Sequence, residues 1–434
     1  MSQLASENSL LVLEPRPTFQ IRPAAAIQAM LLLLVIANLG RIPVLSTGGR
    51  SFPILVNDLA VTVMVGMGLV FAVQHRTIKL DLVAALGLAF AAVGGLSALA
   101  SQARFGLSWA ELGVGLAYLF RWLLYFALYV VGVNTLRRQD VQPVWGALET
   151  CILLFAAFGI FQSAFLPGFA QMLDPNTIAD GGWDVQGRRL VSTFLDPNFA
   201  GGLLMLGLLV ELGLLASGER VAWWKPLMLF GAMVLTLSRG TLLAFTIGFI
   251  VLIAVRGVSR RLAMFLAGGA LVLAAALPSI IRFAASFNKL GVSDASAQGR
   301  FVLWLRALTV LRDHPIIGIG FDTWAPVARR YGWVSVPGSQ NGVDGGLLFI
   351  AVLTGAVGVA IYLGMLGYTF LRARVVWRQG DRPAFERGLA GGVGSCLVAM
   401  CVHSLFSNSL LLPYLMEPLW IMCALVFVLA RAES

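Results

Sequence analysis

Arginines in the polar stretches of this chain are its residues best suited to hold an anion. Arg239 lies in a tight turn, residues 238–240, between two apolar segments. Arg188, Arg189 and Arg300 lie in two longer polar stretches. A guanidinium binds phosphate oxygens bidentately and stays charged, so arginines with few acidic partners favour a phosphate or diphosphate ligand. For Arg239, an interaction with lipid head groups is the alternative.

Asp344 is a candidate general base, because it lies where the largest polar stretch meets the next apolar segment. A base needs a pKa close to the operating pH, which requires a partly desolvated pocket. The same position also suits a helix cap, since a carboxylate there accepts hydrogen bonds from the free N–H groups of the first turn. The sequence leaves both roles open.

Four further residues complete the set of substrate-binding candidates. Arg121 lies in the middle of an apolar segment. A charge at membrane depth is costly enough to suggest function, although a hydrogen bond between helices would also explain it. Asn198 follows the first long polar stretch, and Gln340 and Asn341 lie near the end of the second. We expect the two stretches to fold together over these residues.

Long apolar runs separate the polar stretches and indicate that the chain lies in a membrane. The 434 residues are 59% hydrophobic and 12% charged, with a mean hydropathy of +0.85, whereas soluble domains are about 25% charged. A span needs about twenty residues, so we predict an all-α, polytopic membrane protein with about twelve transmembrane helices in one domain, residues 1–434. The predicted helices lie near 24–40, 54–73, 80–100, 109–132, 144–166, 197–216, 226–238, 241–256, 262–281, 345–371, 388–407 and 412–430. The run 300–313 predicts an additional, amphipathic helix within the second polar stretch.

The orientation follows from the short loops, of which alternate ones are rich in arginine and lysine. By the positive-inside rule these loops, and with them both termini, are cytoplasmic. The stretches 167–196 and 282–343 then face outward, away from ATP and nucleotide-activated donors. We therefore expect the active site on the outer face of the membrane.

Composition argues against two other classes of site. The net charge of +10 is explained by arginines at membrane edges, since no separate basic domain is present, so we expect no nucleic acid partner. The four cysteines lie in apolar runs without the spacing of metal ligands, and three histidines do not make a convincing metal site. No metal and no cofactor is expected.

Six short motifs, in their order and spacing, resemble the O-antigen ligase and O-antigen polymerase superfamily over about residues 190–430. They are Ser192-Thr193-Phe194 with Pro197-Asn198, Thr236-Leu237-Ser238-Arg239-Gly240, Gly299-Arg300 with Trp304 and Ala307, His314-Pro315-Ile316-Ile317-Gly318-Ile319-Gly320, Val343-Asp344-Gly345-Gly346-Leu347 with Gly355 and Gly358, and His403-Ser404-Leu405-Phe406.

The resemblance implies a metal-independent membrane glycosyltransferase with an all-helical fold, multi-pass in the bacterial inner membrane, with its active site facing the periplasm. Its donor would be an undecaprenyl-diphosphate-linked oligosaccharide, and Arg239, Arg300 and Arg189 would hold the diphosphate. A flippase and a chain-length regulator are the protein partners that the resemblance implies.

One departure from the family pattern separates two possible activities. Ligases carry a histidine where this chain has Asp344, and Gly345 replaces their asparagine; Gln340-Asn341 is a possible shifted counterpart of that pair. Aspartate resembles the polymerase branch, so a polysaccharide repeat-unit polymerase is our first interpretation. The alternatives are a ligase that transfers glycan to the lipid A core, and a transporter or flippase, which would show inverted repeats and broken helices.

Overall fold

The structure, a computed structural model, describes residues 23–47, 50–75, 78–173, 189–256, 260–289, 295–333 and 342–431. The described part of the chain is helical apart from one β-hairpin. Its helices are α1 Pro23–Leu32, α2 Val56–Gln74, α3 Leu82–Phe105, α4 Trp109–Thr135, α5 Val141–Phe165, α6 Phe169–Leu173, α7 Pro197–Ala216, α8 Trp224–Leu235, α9 Arg239–Arg256, α10 Arg260–Lys289, α11 Ala295–Asp313, α12 Trp324–Arg330, α13 Gly346–Arg378, α14 Ala384–His403 and α15 Pro413–Arg431.

Eight of the described helices are long and apolar enough to cross a membrane, namely α2, α3, α4, α5, α7, α13, α14 and α15. The polytopic all-α class is thus confirmed, but the count of about twelve spans is not. Each predicted span does contain a helix, yet some are too short: α1 has 10 residues and α8 has 12, against the roughly twenty that a span needs. After α8 the chain turns at Leu237, whose φ of +51° no helix accommodates.

The segment between α1 and α2 forms an antiparallel hairpin, with β1 at Arg41–Thr47 and β2 at Arg50–Leu55. The sequence analysis had treated this segment only as an outward loop. The Asn38 amide, just before the hairpin, donates to the Phe194 carbonyl at 3.4 Å. The hairpin therefore lies at the same end of the helix bundle as the chain that precedes α7.

The core of the bundle is built around α15, in which every residue from Pro413 to Leu429 is buried. α15 packs on α4 through Trp420, whose ring lies 4.9 Å from that of Phe126 in an edge-to-face arrangement. α7, likewise almost wholly buried, packs against α14, which also contacts α9 and α13. α7 and α9, which carry Asn198 and Arg239, thus both pack against α14.

α13 is broken at Gly355, and the segment 314–320 fits into the break. Gly355 has a φ of +67°, and a Cβ there would clash with the Ile316 carbonyl, so the position requires glycine. Backbone hydrogen bonds of 2.8 to 3.3 Å join the two segments, from Ile319 to Val352, Gly320 to Leu353, Ala356 to Pro315 and Val357 to Ile316. This docking holds α11, which ends just before the segment, against the first part of α13.

Candidate active site

Arg300 and Asp344 form an ion pair where α11 packs against the start of α13. The Arg300 Nε lies 3.3 Å from the Asp344 Oδ2, and the two side chains are 23% and 40% exposed. One turn further along α11, the Trp304 Nε1 donates to the Asp344 backbone carbonyl at 2.6 Å. Residues four apart share one face of a helix. α11 therefore holds both the backbone and the carboxylate of Asp344.

Asp344 does not cap α13, although the sequence left that role open. Gly345 occupies the N-cap position, with a φ of +127° and no capping side chain. The free N–H groups donate instead to the segment 404–408: Gly345 to Asn408 Oδ1 at 3.2 Å, Gly346 to the Ser407 carbonyl at 3.1 Å, and Leu347 to the Ser404 carbonyl at 3.2 Å. The carboxylate of Asp344 is thereby left for Arg300 and for a ligand.

The surroundings of Asp344 suit a base. Burial raises the pKa of the carboxyl above that of an ordinary aspartate, and the neighbouring Arg300 charge opposes this rise. A pKa closer to neutrality makes a carboxylate a better proton acceptor. The partial exposure of the side chain keeps it accessible to an incoming hydroxyl group.

Asp196 lies close enough to Asp344 for the negative charge of Asp344 to raise the pKa of Asp196. It caps α7, accepting hydrogen bonds from the Asn198 N–H at 2.7 Å and the Phe199 N–H at 3.1 Å. Burial raises its pKa to about 6, against the opposing influence of these hydrogen bonds and of Arg189. Asp196 therefore joins the start of α7 to the Asp344 site.

Arg189 is fixed beside the turn that carries Arg239. Its Nε donates to the Thr236 carbonyl at 2.9 Å, and the Leu190 N–H donates to the Leu235 carbonyl at 3.0 Å. These bonds dock the chain that leads into α7 onto the last residues of α8. Two of the predicted diphosphate-binding arginines thus flank the same turn.

Arg239 is the first residue of α9 and is exposed. A helix N-terminus favours anions, because its N–H groups and its dipole both attract negative charge. Ser238 joins this turn to α7, since its hydroxyl donates to the Asn198 Oδ1 at 2.8 Å. Gly240 packs against Phe406, whose ring lies 6.5 Å from that of Trp304. The turn is therefore a close neighbour of the Arg300–Asp344 pair.

Backbone strain is concentrated in the same place. Ser192, Leu195 and Leu237 have φ values of +49°, +58° and +51°, in the left-handed region that such residues rarely adopt. Strained residues persist only where the surrounding structure holds them, and they cluster at functional sites. Here they shape the two chain segments that carry Arg189 and Arg239.

The structure thus brings Arg189, Asn198, Arg239, Arg300 and Asp344 to one end of the bundle, as the sequence analysis expected. Arg188, Gln340 and Asn341 lie outside the described residues. The missed contributors are Asn408 and its neighbours in the segment 404–408. A signal for them was present, since Ser407-Asn408-Ser409 is a polar run between two apolar segments.

Arg121 does not join this group. Its Nη2 lies 2.8 Å from the Asp58 Oδ2 and also donates to the Pro53 carbonyl, and its guanidinium lies 4.0 Å from the centre of the Phe52 ring. Both side chains of the pair are largely buried, at 8% and 11% exposure. The structure therefore supports the alternative of a structural role, in which Arg121 joins the hairpin, α2 and α4.

Most of this site lies in a segment that matches the model of a known protein family. Residues 227–363, which include Arg239, Arg300 and Asp344, match the family model described as O-antigen ligase. The resemblance to the O-antigen ligase and polymerase superfamily, whose members are membrane glycosyltransferase-like enzymes, is thereby confirmed. No curated protein matched the chain. Within the described ranges, no group of three or more His, Cys, Asp or Glu side chains could hold a metal ion.

Proposed function

We propose that this chain, whose residues 227–363 place it in the O-antigen ligase and polymerase superfamily, is a polysaccharide repeat-unit polymerase. It transfers a glycan from undecaprenyl diphosphate to a lipid-linked acceptor at the periplasmic face of the bacterial inner membrane. The observation that carries this proposal is the meeting of three arginines with one accessible aspartate at one end of a membrane-embedded bundle.

The arginines suit an anionic leaving group. Arg189 and Arg239 flank one turn, and Arg239 is the first residue of α9. As the bond between the anomeric carbon and the diphosphate breaks, negative charge builds on the diphosphate. Fixed positive groups that are already in position stabilise that charge without reorganising.

Asp344 suits the other half of the reaction. An acceptor hydroxyl attacks the anomeric carbon, a new C–O bond forms, and the hydroxyl proton passes to the Asp344 carboxylate. Arg300 holds the carboxylate in place through the 3.3 Å contact and adds positive charge to the site. The energy comes from the glycosyl–diphosphate bond, so the residues need to supply only position, charge and a proton acceptor.

A ligase is the second candidate, because the matched family model carries that description. Asp344 stands where the ligase pattern has histidine, which favours the polymerase. The break in α13 could suggest a transporter, whose broken helices leave backbone groups open to a substrate. In this chain the segment 314–320 occupies the break and satisfies its backbone groups, which does not support that alternative.

The proposal includes an orientation, in which both termini are cytoplasmic and the site is periplasmic. It also includes two protein partners, a flippase that supplies the substrate and a chain-length regulator. A reporter fused after Arg330 tests the orientation. Activity of a periplasm-specific reporter there would support the orientation, and activity of a cytoplasm-specific one would overturn it.

The glycan profile of a strain that lacks the gene tests the activity, resolved by carrier and by chain length. A polymerase predicts that single repeat units accumulate on the lipid carrier while long chains disappear. Long chains that persist on the carrier but fail to reach their final lipid acceptor would instead establish the ligase. An unchanged profile would reject both.

A further inference from the structure

His403, at the end of α14, is a fully buried histidine that lies behind the site, without contacting the Arg300–Asp344 pair. Its Nε2 lies 3.0 Å from the Thr241 Oγ1 in the first turn of α9, and its Nδ1 lies 2.6 Å from the Ser409 Oγ. The imidazole therefore bridges α9 and the segment that follows α14.

The hydrogen bonds around His403 run in one direction. Ser238 donates to the side-chain Oδ1 of Asn198 at 2.8 Å, and its own oxygen accepts from Thr241 at 3.0 Å. Thr241 has then used its proton on Ser238 and accepts from the Nε2–H of the imidazole. The imidazole is also hydrogen-bonded to the Asn198 backbone carbonyl. The Nδ1 in turn accepts from Ser409. A neutral imidazole with its proton on Nε2 is compatible with all of these hydrogen bonds.

This series of hydrogen bonds ends at the Asn198 side-chain amide and fixes the orientation of that amide. Because the Oδ1 accepts from Ser238, the Nδ2 group with its two N–H donors is on the other side of the amide. Among the described residues this Nδ2 donates to no partner. The backbone N–H of Asn198 donates to Asp196, whose carboxylate is close enough to Arg189 to feel its charge, and its side chain contacts Ser238, next to Arg239.

We propose that Asn198 donates from its Nδ2 to a diphosphate oxygen of the donor, and that His403 is the positioning residue which, through Thr241 and Ser238, holds the amide in that orientation. This inference rests on the proposed function, since the diphosphate is its ligand. Without these hydrogen bonds the Asn198 amide is free to rotate and to present its oxygen, which repels an anion.

The test uses purified full-length protein, with direct binding of undecaprenyl diphosphate and the rate of glycan extension as readouts. Thr241→Val removes the hydroxyl that links His403 to Ser238 while keeping the side-chain volume. His403→Leu removes the imidazole, and Asn198→Ala removes the proposed donor. We expect each to weaken diphosphate binding about tenfold to a hundredfold, the loss typical of one hydrogen bond to a charged group. Thr241→Ser keeps the hydroxyl and should restore binding.

Double variants separate positioning from general stability. If His403 acts through Asn198, then His403→Leu with Asn198→Ala binds no more weakly than Asn198→Ala alone, whereas independent structural damage would add. Ser395→Ala is the matched control: it lies about two turns before His403 on the same helix, it is buried, and its hydroxyl donates to the Gly391 carbonyl of its own helix. It should bind like the parent protein.

Two failures are distinguishable. If the parent protein binds undecaprenyl diphosphate and the Arg239→Ala variant does not, but Thr241→Val and His403→Leu bind normally, only the positioning role is rejected. Additive losses in the double variant would also reject it. If the parent protein and Arg239→Ala both fail to bind, the proposed function itself is rejected.

Discussion

The Arg300 guanidinium lies 3.3 Å from the Asp344 carboxylate, while the Gly346 and Leu347 N–H groups, which a capping Asp344 would have bound, donate to the Ser407 and Ser404 carbonyls. A carboxylate before a helix is commonly a cap. Here the segment 404–408 supplies the cap. Asp344 is therefore free to act as the proton acceptor of a glycosyl transfer.

Replacing Asp344 with asparagine should abolish most of the glycosyl transfer and leave the fold unchanged. The amide cannot accept the proton, and loss of a general base typically costs about 10²- to 10⁴-fold in rate. Because the segment 404–408 provides the cap, the unfolding temperature should stay at the parent value. Steady-state rates and thermal unfolding of the purified variant measure the two effects.

Asp313→Asn is the control for that variant. Asp313 pairs with Arg312 at the end of α11, the helix that carries Arg300. Its transfer rate should match that of the parent protein. An Asp344→Asn variant with full activity would remove Asp344 from the chemistry, and one with a strongly lowered unfolding temperature would restore the capping role.

Removing the charge of Arg300 should move the acidic limb of the pH profile to higher pH. Burial raises the pKa of Asp344, and Arg300 lowers it. Activity requires the ionised carboxylate and so falls as the pH drops through that pKa. In Arg300→Gln the opposing charge is gone, the pKa rises further, and the fall begins at a higher pH; Arg300→Lys should keep the limb closer to that of the parent.

The measurement is the pH dependence of kcat/KM for the parent protein and both variants. A limb that stays at the same pH in Arg300→Gln, with only the rate lowered, would mean that Arg300 does not act on the base.

Arg239→Lys should lose most of the activity while the protein remains folded in the membrane. A lysine keeps the charge but cannot form the two parallel hydrogen bonds that a guanidinium makes to a diphosphate. Arg312→Lys is the matched control, because Arg312 is a 79% exposed arginine of α11. Product formation per folded protein is compared for the two variants. Equal activity in both would place Arg239 at the lipid head groups instead.

Arg121 should affect stability and not the reaction. Arg121→Met leaves Asp58 as an uncompensated buried charge, which typically costs about 3–5 kcal/mol. Adding Asp58→Asn should recover much of that loss, because the remaining group is neutral. Thermal unfolding measures the effect. A single variant with parental stability but lost activity would return Arg121 to the substrate site.

Local pattern was sufficient to predict the helices. The helix predicted at 300–313 is present as part of Ala295–Asp313, and the arginines expected to hold a diphosphate lie near one another. Periodicity and turn residues act over a few positions, so they report such local features well.

The features that the sequence analysis missed depend on distant partners. The break at Gly355 is satisfied by residues near Ile316, and the start of α13 by Asn408. Nothing in the local sequence identifies either partner. The count of about twelve spans stays a prediction, because eight of the described helices meet the length and hydropathy of a span.

The most direct test of the account is a reconstituted reaction. Purified protein in a bilayer receives only undecaprenyl-diphosphate-linked repeat units, without nucleotide or other acceptor, and the products are resolved by length. The account predicts chains of two or more repeat units on the carrier, released undecaprenyl diphosphate in matching amount, and neither product with Asp344→Asn. Repeat units that remain single, but are transferred when a lipid A core acceptor is added, would contradict the polymerase and establish the ligase.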